Sequence, residues 1–139
     1  MQTPYPAESS KEQPSTTGDV IDAEALARLK ALDRPGRPSV YAKVLSRYLP
    51  AAQESVESLR EAVKTGDLDT LARVAHRLKS SSAQVGALAL AASCQELERQ
   101  GRSGTVEGAA VLCERLEAHY REVVRVLERE LARQAEGSR

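Results

Sequence analysis

The 139-residue chain fits a single domain, and its 20 Lys and Arg residues balance 20 Asp and Glu residues to give zero formal net charge. That balance argues against nucleic-acid binding, which requires a basic surface, and no apolar run is long enough to cross a membrane. The N-terminus lacks the charged-then-apolar pattern of an export signal, so we expect a cytoplasmic protein. With no Trp, no Phe and four Tyr, the core must be mainly aliphatic.

The chain opens with a stretch that has no hydrophobic periodicity. Residues 1–19 hold three prolines among Ser, Thr, Gln and Glu, which predicts a disordered tail or linker. Asp22 is then predicted to cap a short helix carrying Leu26, Leu29 and Leu32 on one side. The proline- and glycine-containing residues 33–38 should end that helix.

A second, longer helix is predicted from its cap at Ser39 to Gly66. Pro50 lies inside it and should kink the helix or split it in two. Its apolar positions are Val40, Val44, Leu45, Tyr48, Val56, Leu59 and Val63.

Three further helices follow. The third is capped by Asp67 and runs to about Gln84, the fourth ends around residues 101–104, and the last runs from about Thr105 to Ala132. Their inward-facing positions recur at steps of three and four: Leu71, Ala75, Leu78, Ser82 and Val85; Leu88, Leu90, Cys94 and Leu97; Ala109, Cys113, Leu116, Tyr120, Val123, Leu127 and Leu131.

These elements predict an all-α fold, an antiparallel four-helix bundle with an additional short N-terminal helix. We expect the bundle to span residues 20–132, between a tail or linker at 1–19 and a C-terminal tail at 133–139. No apolar stripe is left over, so we expect a monomer. Cys94 and Cys113 are interpreted as small buried hydrophobic residues rather than as a disulfide or a reactive thiol.

One histidine of the third helix lies away from its apolar seam. At about 100° per residue, the seam lies roughly 100° to 180° from His76, which therefore faces outward or onto the flank of the bundle. Its own face carries Lys79 one turn on, together with Asp69 and Arg73. The remaining neighbours are small: Ala72, Ser80 and Ala83. Such a flat surface would let another protein bring a reacting group close to the imidazole.

The chemistry of this face favours phosphoryl transfer. Neutral imidazole is a competent nucleophile, since its unperturbed pKa is about 6.5. A phosphoryl group on it adds about two negative charges, which Lys79 could partly balance and to which Ser80 could donate a hydrogen bond. The alternative interpretation, an ordinary surface histidine beside a weakly helical serine run, stays open on these residues alone.

The region around His76 resembles the histidine-containing phosphotransfer (HPt) domain of bacterial phosphorelays. That pattern has a His, a Leu two positions on, a Lys three positions on, small residues, a Gly-Ala pair and spaced Leu, Cys and Leu-Glu. It is matched by Ala75 to Ser82, Val85-Gly86-Ala87, Leu90, Cys94 and Leu97-Glu98. The order of predicted helices agrees over about residues 20–131.

The resemblance implies that His76 accepts a phosphoryl group from the aspartate of one receiver domain and passes it to another. The partners would be receiver domains of response regulators or hybrid sensor kinases, docking over Ala72, Arg73 and Ala83. Lys79 would lie near the phosphoryl group, and Gly86 would mark the hairpin to the next helix. The chain itself would need no cofactor, because the Mg²⁺ belongs to the receiver.

Two departures from the family pattern and three alternative functions remain. The first departure is the proline-rich stretch at residues 1–19, which would be either the tail of a free-standing carrier or a linker within a hybrid sensor kinase. Ser80 stands where the family commonly has Gly, and it is small enough to keep the surface flat. The first alternative is an HPt-like scaffold that binds a receiver or regulator without carrying phosphate. A di-iron bundle is disfavoured because neither His76 nor His119 follows a Glu by three positions. An autophosphorylating kinase is disfavoured because the sequence has no Gly-rich phosphate loop.

Overall fold

The computed structural model describes residues 20–137, which form five helices and no strand. They are α1 (Ala23–Lys30), α2 (Val40–Thr65), α3 (Leu68–Gln84), α4 (Leu88–Arg102) and α5 (Ala109–Gly137). The predicted tail at 1–19 lies outside the described residues. Of the helices described, none is both long and apolar enough to cross a membrane.

The four long helices pack in a closed ring. The contacting pairs are α2 with α3, α3 with α4, α4 with α5, and α5 with α2, so α5 lies diagonally across the bundle from α3. Along each contact, residue numbers rise on one helix as they fall on the other. Tyr41 meets Glu130, for example, and Arg60 meets Glu117. The neighbours are therefore antiparallel, and the predicted fold class is confirmed.

The short helix α1 packs on α2 and is anchored at the α3–α4 turn. There the Asp22 N–H donates to the Gly86 carbonyl at 2.7 Å. Gly86 has φ +82°, and a Cβ on it would lie 2.9 Å from both the Ala25 Cβ and the Asp22 carbonyl oxygen. Only glycine combines this left-handed backbone with such close approach, which confirms its predicted structural role. Leu32, predicted on the apolar side, is 52% exposed because α1 already ends at Lys30.

The core is aliphatic and lies inside the ring. The predicted α3 seam is fully buried, as are most of the predicted positions in α4 and α5; Leu88 is exposed. In α2 the buried register differs from the prediction, because Tyr41 rather than Val40 faces inward and its hydroxyl donates to the buried Glu130. The buried α2 positions are Tyr41, Leu45, Tyr48, Ala52, Val56, Leu59 and Ala62.

Several predicted boundaries are wrong. Pro50 does not split α2, which is one helix over its 26 residues because its apolar face is buried on both sides of the proline. The last helix begins at Ala109 rather than near Thr105, since Gly108 has φ +87° and cannot be helical. It also continues to Gly137, through most of the predicted C-terminal tail.

Candidate functional site

The turn between α2 and α3 determines where α3 begins. Gly66 ends α2 in the left-handed conformation with φ +73°, and the Asp67 carboxylate accepts the Thr70 N–H at 3.1 Å and the Thr70 hydroxyl at 2.8 Å. These caps confirm the predicted end of the second helix at Gly66 and the predicted cap of the third helix at Asp67. With the apolar seam of α3 buried, His76 is left on the outer surface, and its side chain is 56% exposed.

The His76 ring contacts a carboxylate from the neighbouring helix. Its Nδ1 lies 3.0 Å from Oε2 of Glu98, a residue of α4 whose side chain is only 11% exposed. The Arg102 Nη2 donates to the same oxygen at 2.7 Å, and the Lys79 Nζ lies 3.1 Å from the other oxygen, Oε1. One largely buried carboxylate therefore holds an imidazole, a guanidinium and an ammonium group at the surface.

These contacts keep Glu98 ionised. The hydrogen bond from Arg102 is the largest cause that lowers the pKa of Glu98, and those from Lys79 and His76 add to it against the opposing effect of burial. The pKa falls from its ordinary value of 4.5 to about 2. At neutral pH the carboxylate is thus an acceptor only.

An acceptor beside Nδ1 decides where the histidine proton sits. When His76 is neutral, the hydrogen bond to Glu98 requires the proton on Nδ1, and the lone pair is then on Nε2. A carboxylate in this position also stabilises positive charge that develops on the ring when Nε2 forms a bond. The arrangement therefore prepares Nε2 as a nucleophile, with two cations nearby that can balance an incoming anion.

Close packing of α3 on α4 brings these groups together. Gly101 is buried in α4, and a Cβ on it would lie 2.8 Å from the Ala72 backbone nitrogen and 3.0 Å from the Ala72 Cβ. Ala72 itself is only 8% exposed. The prediction that Ala72 belongs to the docking surface is wrong, because α4 covers the flank of α3 on which Ala72 lies. The spacing of about 100° per residue describes α3 alone and does not show this neighbour. The small size of Ala72 serves helix packing.

The other predicted site residues lie on the face of α3 that their spacing along the helix predicts. Arg73, Ser80 and Ala83 are exposed on α3, on the same outer face as His76. Ser82, by contrast, is fully buried, and its hydroxyl is 2.7 Å from the Tyr48 hydroxyl. On α3 the exposed neighbours Ser80 and Ala83 are small, and on the α4 side the surface forms a depression lined in part by Lys79, Glu98 and Arg102.

Glu98 and Arg102 had no functional role in the sequence-based prediction. They lie on a different helix from His76, and only the crossing at Gly101 brings them to it. A signal for the pair exists, because an acidic and a basic residue four positions apart stack on one face of a helix. That signal does not reveal which neighbouring helix the pair faces.

The remaining candidate residues take no part in this site. Cys94 and Cys113 are both buried and free, as expected. Burial raises the pKa of the Cys94 thiol to about 12 and that of Cys113 to about 11, so both stay protonated at neutral pH. His119 is partly buried on α5, the helix diagonally opposite α3.

The chain matches one protein-family model and is similar to a solved structure. The Hpt domain family model matches residues 43–135, which include α3, α4 and most of α2 and α5. The structure is similar to the crystal structure of histidine-containing phosphotransfer protein B (HptB) from Pseudomonas aeruginosa PAO1. The TM-score is 0.74 at 30% sequence identity, over 81% of this chain and 95% of that one. No curated protein sequence matches the chain.

Proposed function

Since the chain belongs to the Hpt domain family, whose members work with receiver domains in phosphorelays, we propose that His76 is its phosphoacceptor. In this proposal His76 takes a phosphoryl group from the aspartate of one receiver domain and passes it to the aspartate of a second. The observation that carries the assignment is the contact of the exposed His76 Nδ1 with the ionised Glu98 carboxylate. It leaves Nε2 as the nucleophilic nitrogen.

The transfer step follows from this arrangement. The Nε2 lone pair of His76 attacks the phosphorus of the aspartyl phosphate, so an N–P bond forms while the O–P bond breaks and the aspartate carboxylate leaves. The ring gains positive charge, which the Glu98 carboxylate offsets. Transfer to the second receiver is the same reaction in reverse. Because phosphoryl transfer is mainly positioning and charge stabilisation, few protein groups are needed.

Three nearby groups are assigned to the phosphoryl oxygens. Lys79 and Arg102 are both held beside His76 by Glu98, and their cationic groups balance part of the two negative charges that phosphorylation adds. Ser80 is exposed one turn along α3 and donates a hydrogen bond. The Mg²⁺ needed for the reaction is assigned to the receiver, where it neutralises the acyl phosphate. The chain is thus a phosphoryl carrier rather than a kinase.

The test is transfer of label from a radiolabelled phospho-receiver to the wild-type chain and to His76→Gln. We expect acid-labile, base-stable label on the wild type and none on the variant. Helix content should be unchanged, because the His76 side chain is more than half exposed. A variant that labels to the wild-type level would refute the site assignment. An intact wild-type chain that no receiver labels would instead favour a scaffold that binds receivers without carrying phosphate.

A further inference from the structure

The hydrogen bond between Glu98 and His76 lies at the ring nitrogen that does not react. Oε2 of Glu98 is 3.0 Å from Nδ1, whereas the proposed transfer uses Nε2 on the other side of the ring. The carboxylate is fixed in this position, since its side chain is only 11% exposed and Nη2 of Arg102 lies 2.7 Å from the same oxygen. A phosphoryl group on Nε2 therefore does not displace Glu98, which stays beside Nδ1 in the phosphorylated form.

The proton on Nδ1 decides how easily the phosphoryl group leaves again. When the N–P bond breaks, its electron pair returns to Nε2 and the phosphorus bonds to an oxygen of aspartate or of water. If Nδ1 carries a proton, the ring departs as neutral imidazole, the ordinary form of histidine near pH 7. If Nδ1 has lost its proton, the ring must depart as an imidazolate anion, which is a much stronger base and a poorer leaving group. Protonation of Nδ1 therefore shortens the lifetime of the N–P bond.

The charges around the ring come from α3 and from α4, the helix packed against it: Asp69, Arg73, Arg77 and Lys79 on α3, and Glu98, Arg99 and Arg102 on α4. Within the described part of the chain, Glu98 is the one carboxylate within 4 Å of a ring nitrogen. An anion at hydrogen-bond distance favours the protonated ring. The nearby cations oppose that proton, but Lys79 and Arg102 lie against the Glu98 oxygens rather than the ring.

Phosphorylation strengthens the hold of Glu98 on the ring proton. The phosphoryl group brings about two negative charges, which attract Lys79 and Arg102 away from the carboxylate that holds them. The carboxylate is then less compensated by cations. The hydrogen bond from Arg102 is the largest cause that lowers the pKa of Glu98, and the pKa of about 2 leaves Glu98 ionised far below neutral pH. An ionised and less compensated carboxylate is a stronger acceptor for the proton on Nδ1.

We infer that Glu98 sets the lifetime of phosphorylated His76, because it keeps Nδ1 protonated after transfer and so keeps the phosphoryl group on a good leaving group. This inference rests on the proposed function, since it concerns the phosphorylated state of His76. Glu98 acts through the ring and is thus a positioning residue. It has two consequences of opposite sign for the carrier: the histidine accepts a phosphoryl group faster, and the phosphorylated form is less stable.

The experiment measures the stability of the phosphorylated full-length chain after its donor has been removed. Phosphoramidate, a small phosphoryl donor, loads the wild type and Glu98→Gln without a receiver. The Gln amide has the size of the carboxylate but no charge, and it can donate to an unprotonated Nδ1. We expect about tenfold slower hydrolysis of the variant at pH 8. The pH at which hydrolysis slows should lie at least about one unit lower in the variant than in the wild type.

A second readout needs no variant, and one control fixes the place of the effect. Nitrogen chemical shifts of the phosphorylated wild type at pH 8 should show a protonated Nδ1, and those of Glu98→Gln an unprotonated one. Glu96 lies on the same helix and pairs with Arg115 at 3.4 Å. Glu96→Gln therefore makes the same charge change on the side of α4 that faces α5, and it should keep the wild-type half-life and pH profile.

The outcomes separate this inference from the proposed function. If phosphorylated Glu98→Gln has the wild-type half-life and pH profile, or a shorter half-life, the inference is wrong and the role of His76 as phosphoacceptor stands. An unprotonated Nδ1 in the phosphorylated wild type at pH 8 would also overturn it. If neither phosphoramidate nor any phospho-receiver labels His76 in the wild type, the proposed function itself fails.

Discussion

At the scale of single residues, the carboxylate of Glu98 determines how the charged groups around His76 are arranged. It contacts His76, Lys79 and Arg102 at once, with its own side chain largely buried. Each contact has a separate consequence: the first sets the tautomer of the imidazole, and the other two hold cations beside it. These consequences can be tested one at a time.

Replacing Glu98 with Ala should slow phosphoryl acceptance by about ten- to a hundredfold, the range expected when a charged hydrogen bond of about 1.5–3 kcal/mol is lost from the reacting group. Nitrogen chemical shifts of His76 should show at the same time that the proton is no longer confined to Nδ1. Glu98→Gln keeps a neutral acceptor and should lie between wild type and Ala. If Glu98→Ala changes neither the shifts nor the rate, Glu98 does not position His76.

Replacing Lys79 with Ala should slow transfer or shorten the lifetime of the phosphorylated form. The physical reason is that Lys79, held 3.1 Å from Glu98 beside His76, no longer balances the phosphoryl charge. Lys43→Ala removes a cation from the exposed surface near the start of α2 and serves as the matched control. Wild-type kinetics on both counts would contradict the assigned role.

At the scale of elements, the crossing of α3 and α4 determines whether the site exists. Gly101 and Ala72 let the two helices approach closely enough for Glu98 and Arg102 to reach His76 and Lys79. The sequence signals both helices and their apolar faces clearly. It does not signal the crossing point, because a glycine near a helix end is read as a terminator.

Gly101→Ala tests the crossing. On helix propensity alone the change would stabilise α4 by about 1 kcal/mol. We expect destabilisation of about 1–3 kcal/mol instead, because the new methyl group would meet the Ala72 backbone. Chemical denaturation measures the sign, and the rate of phosphoryl acceptance should fall with it. A more stable variant with unchanged transfer would mean that the close crossing is not needed.

Ala72 and Ala83 form a matched pair on α3. Ala72→Leu should behave as a packing mutation and lower the free energy of unfolding by about 1–3 kcal/mol, since Ala72 is 8% exposed. Ala83→Leu, at an exposed position, should change stability by less than about 0.5 kcal/mol and weaken receiver binding by adding bulk to the docking surface. Equal effects of the two variants on unfolding would contradict the placement of Ala72.

At the scale of the whole molecule, the fold favours the ionised form of several carboxylates. Acidic groups that stabilise the fold have lowered pKa values: Asp33 through hydrogen bonds from Ser39 and Tyr41, Asp67 through Thr70, and Glu98 through Arg102 first. Ionisation of these carboxylates therefore contributes to the stability of the folded state.

This dependence predicts loss of stability in acid. For Glu98 the folded pKa of about 2 lies below the ordinary 4.5, so its contribution is complete above about pH 5 and is lost as the pH falls toward 2. The melting temperature should decrease over this range, and it should decrease less in Glu98→Gln. A pH dependence identical in the two proteins would show that Glu98 does not contribute.

The sequence by itself determined the helical class, the four-helix arrangement and the exposed position of His76. Hydrophobic periodicity, the Asp67 cap and the glycines that end helices at Gly66 and Gly86 are local signals, and at these positions packing between helices agrees with them. The family pattern around His76 likewise lies within one helical hairpin, so it can be read along the chain.

Tertiary structure alone decided what surrounds His76. The wheel placed Ala72 on the surface and left Glu98 and Arg102 without a role, because a helical wheel describes one helix and carries no information about its neighbour. The same limit explains Pro50, whose helix continues because burial on both sides outweighs the missing hydrogen bond. Contacts between helices depend on where two surfaces cross, and that position is a property of the packed molecule.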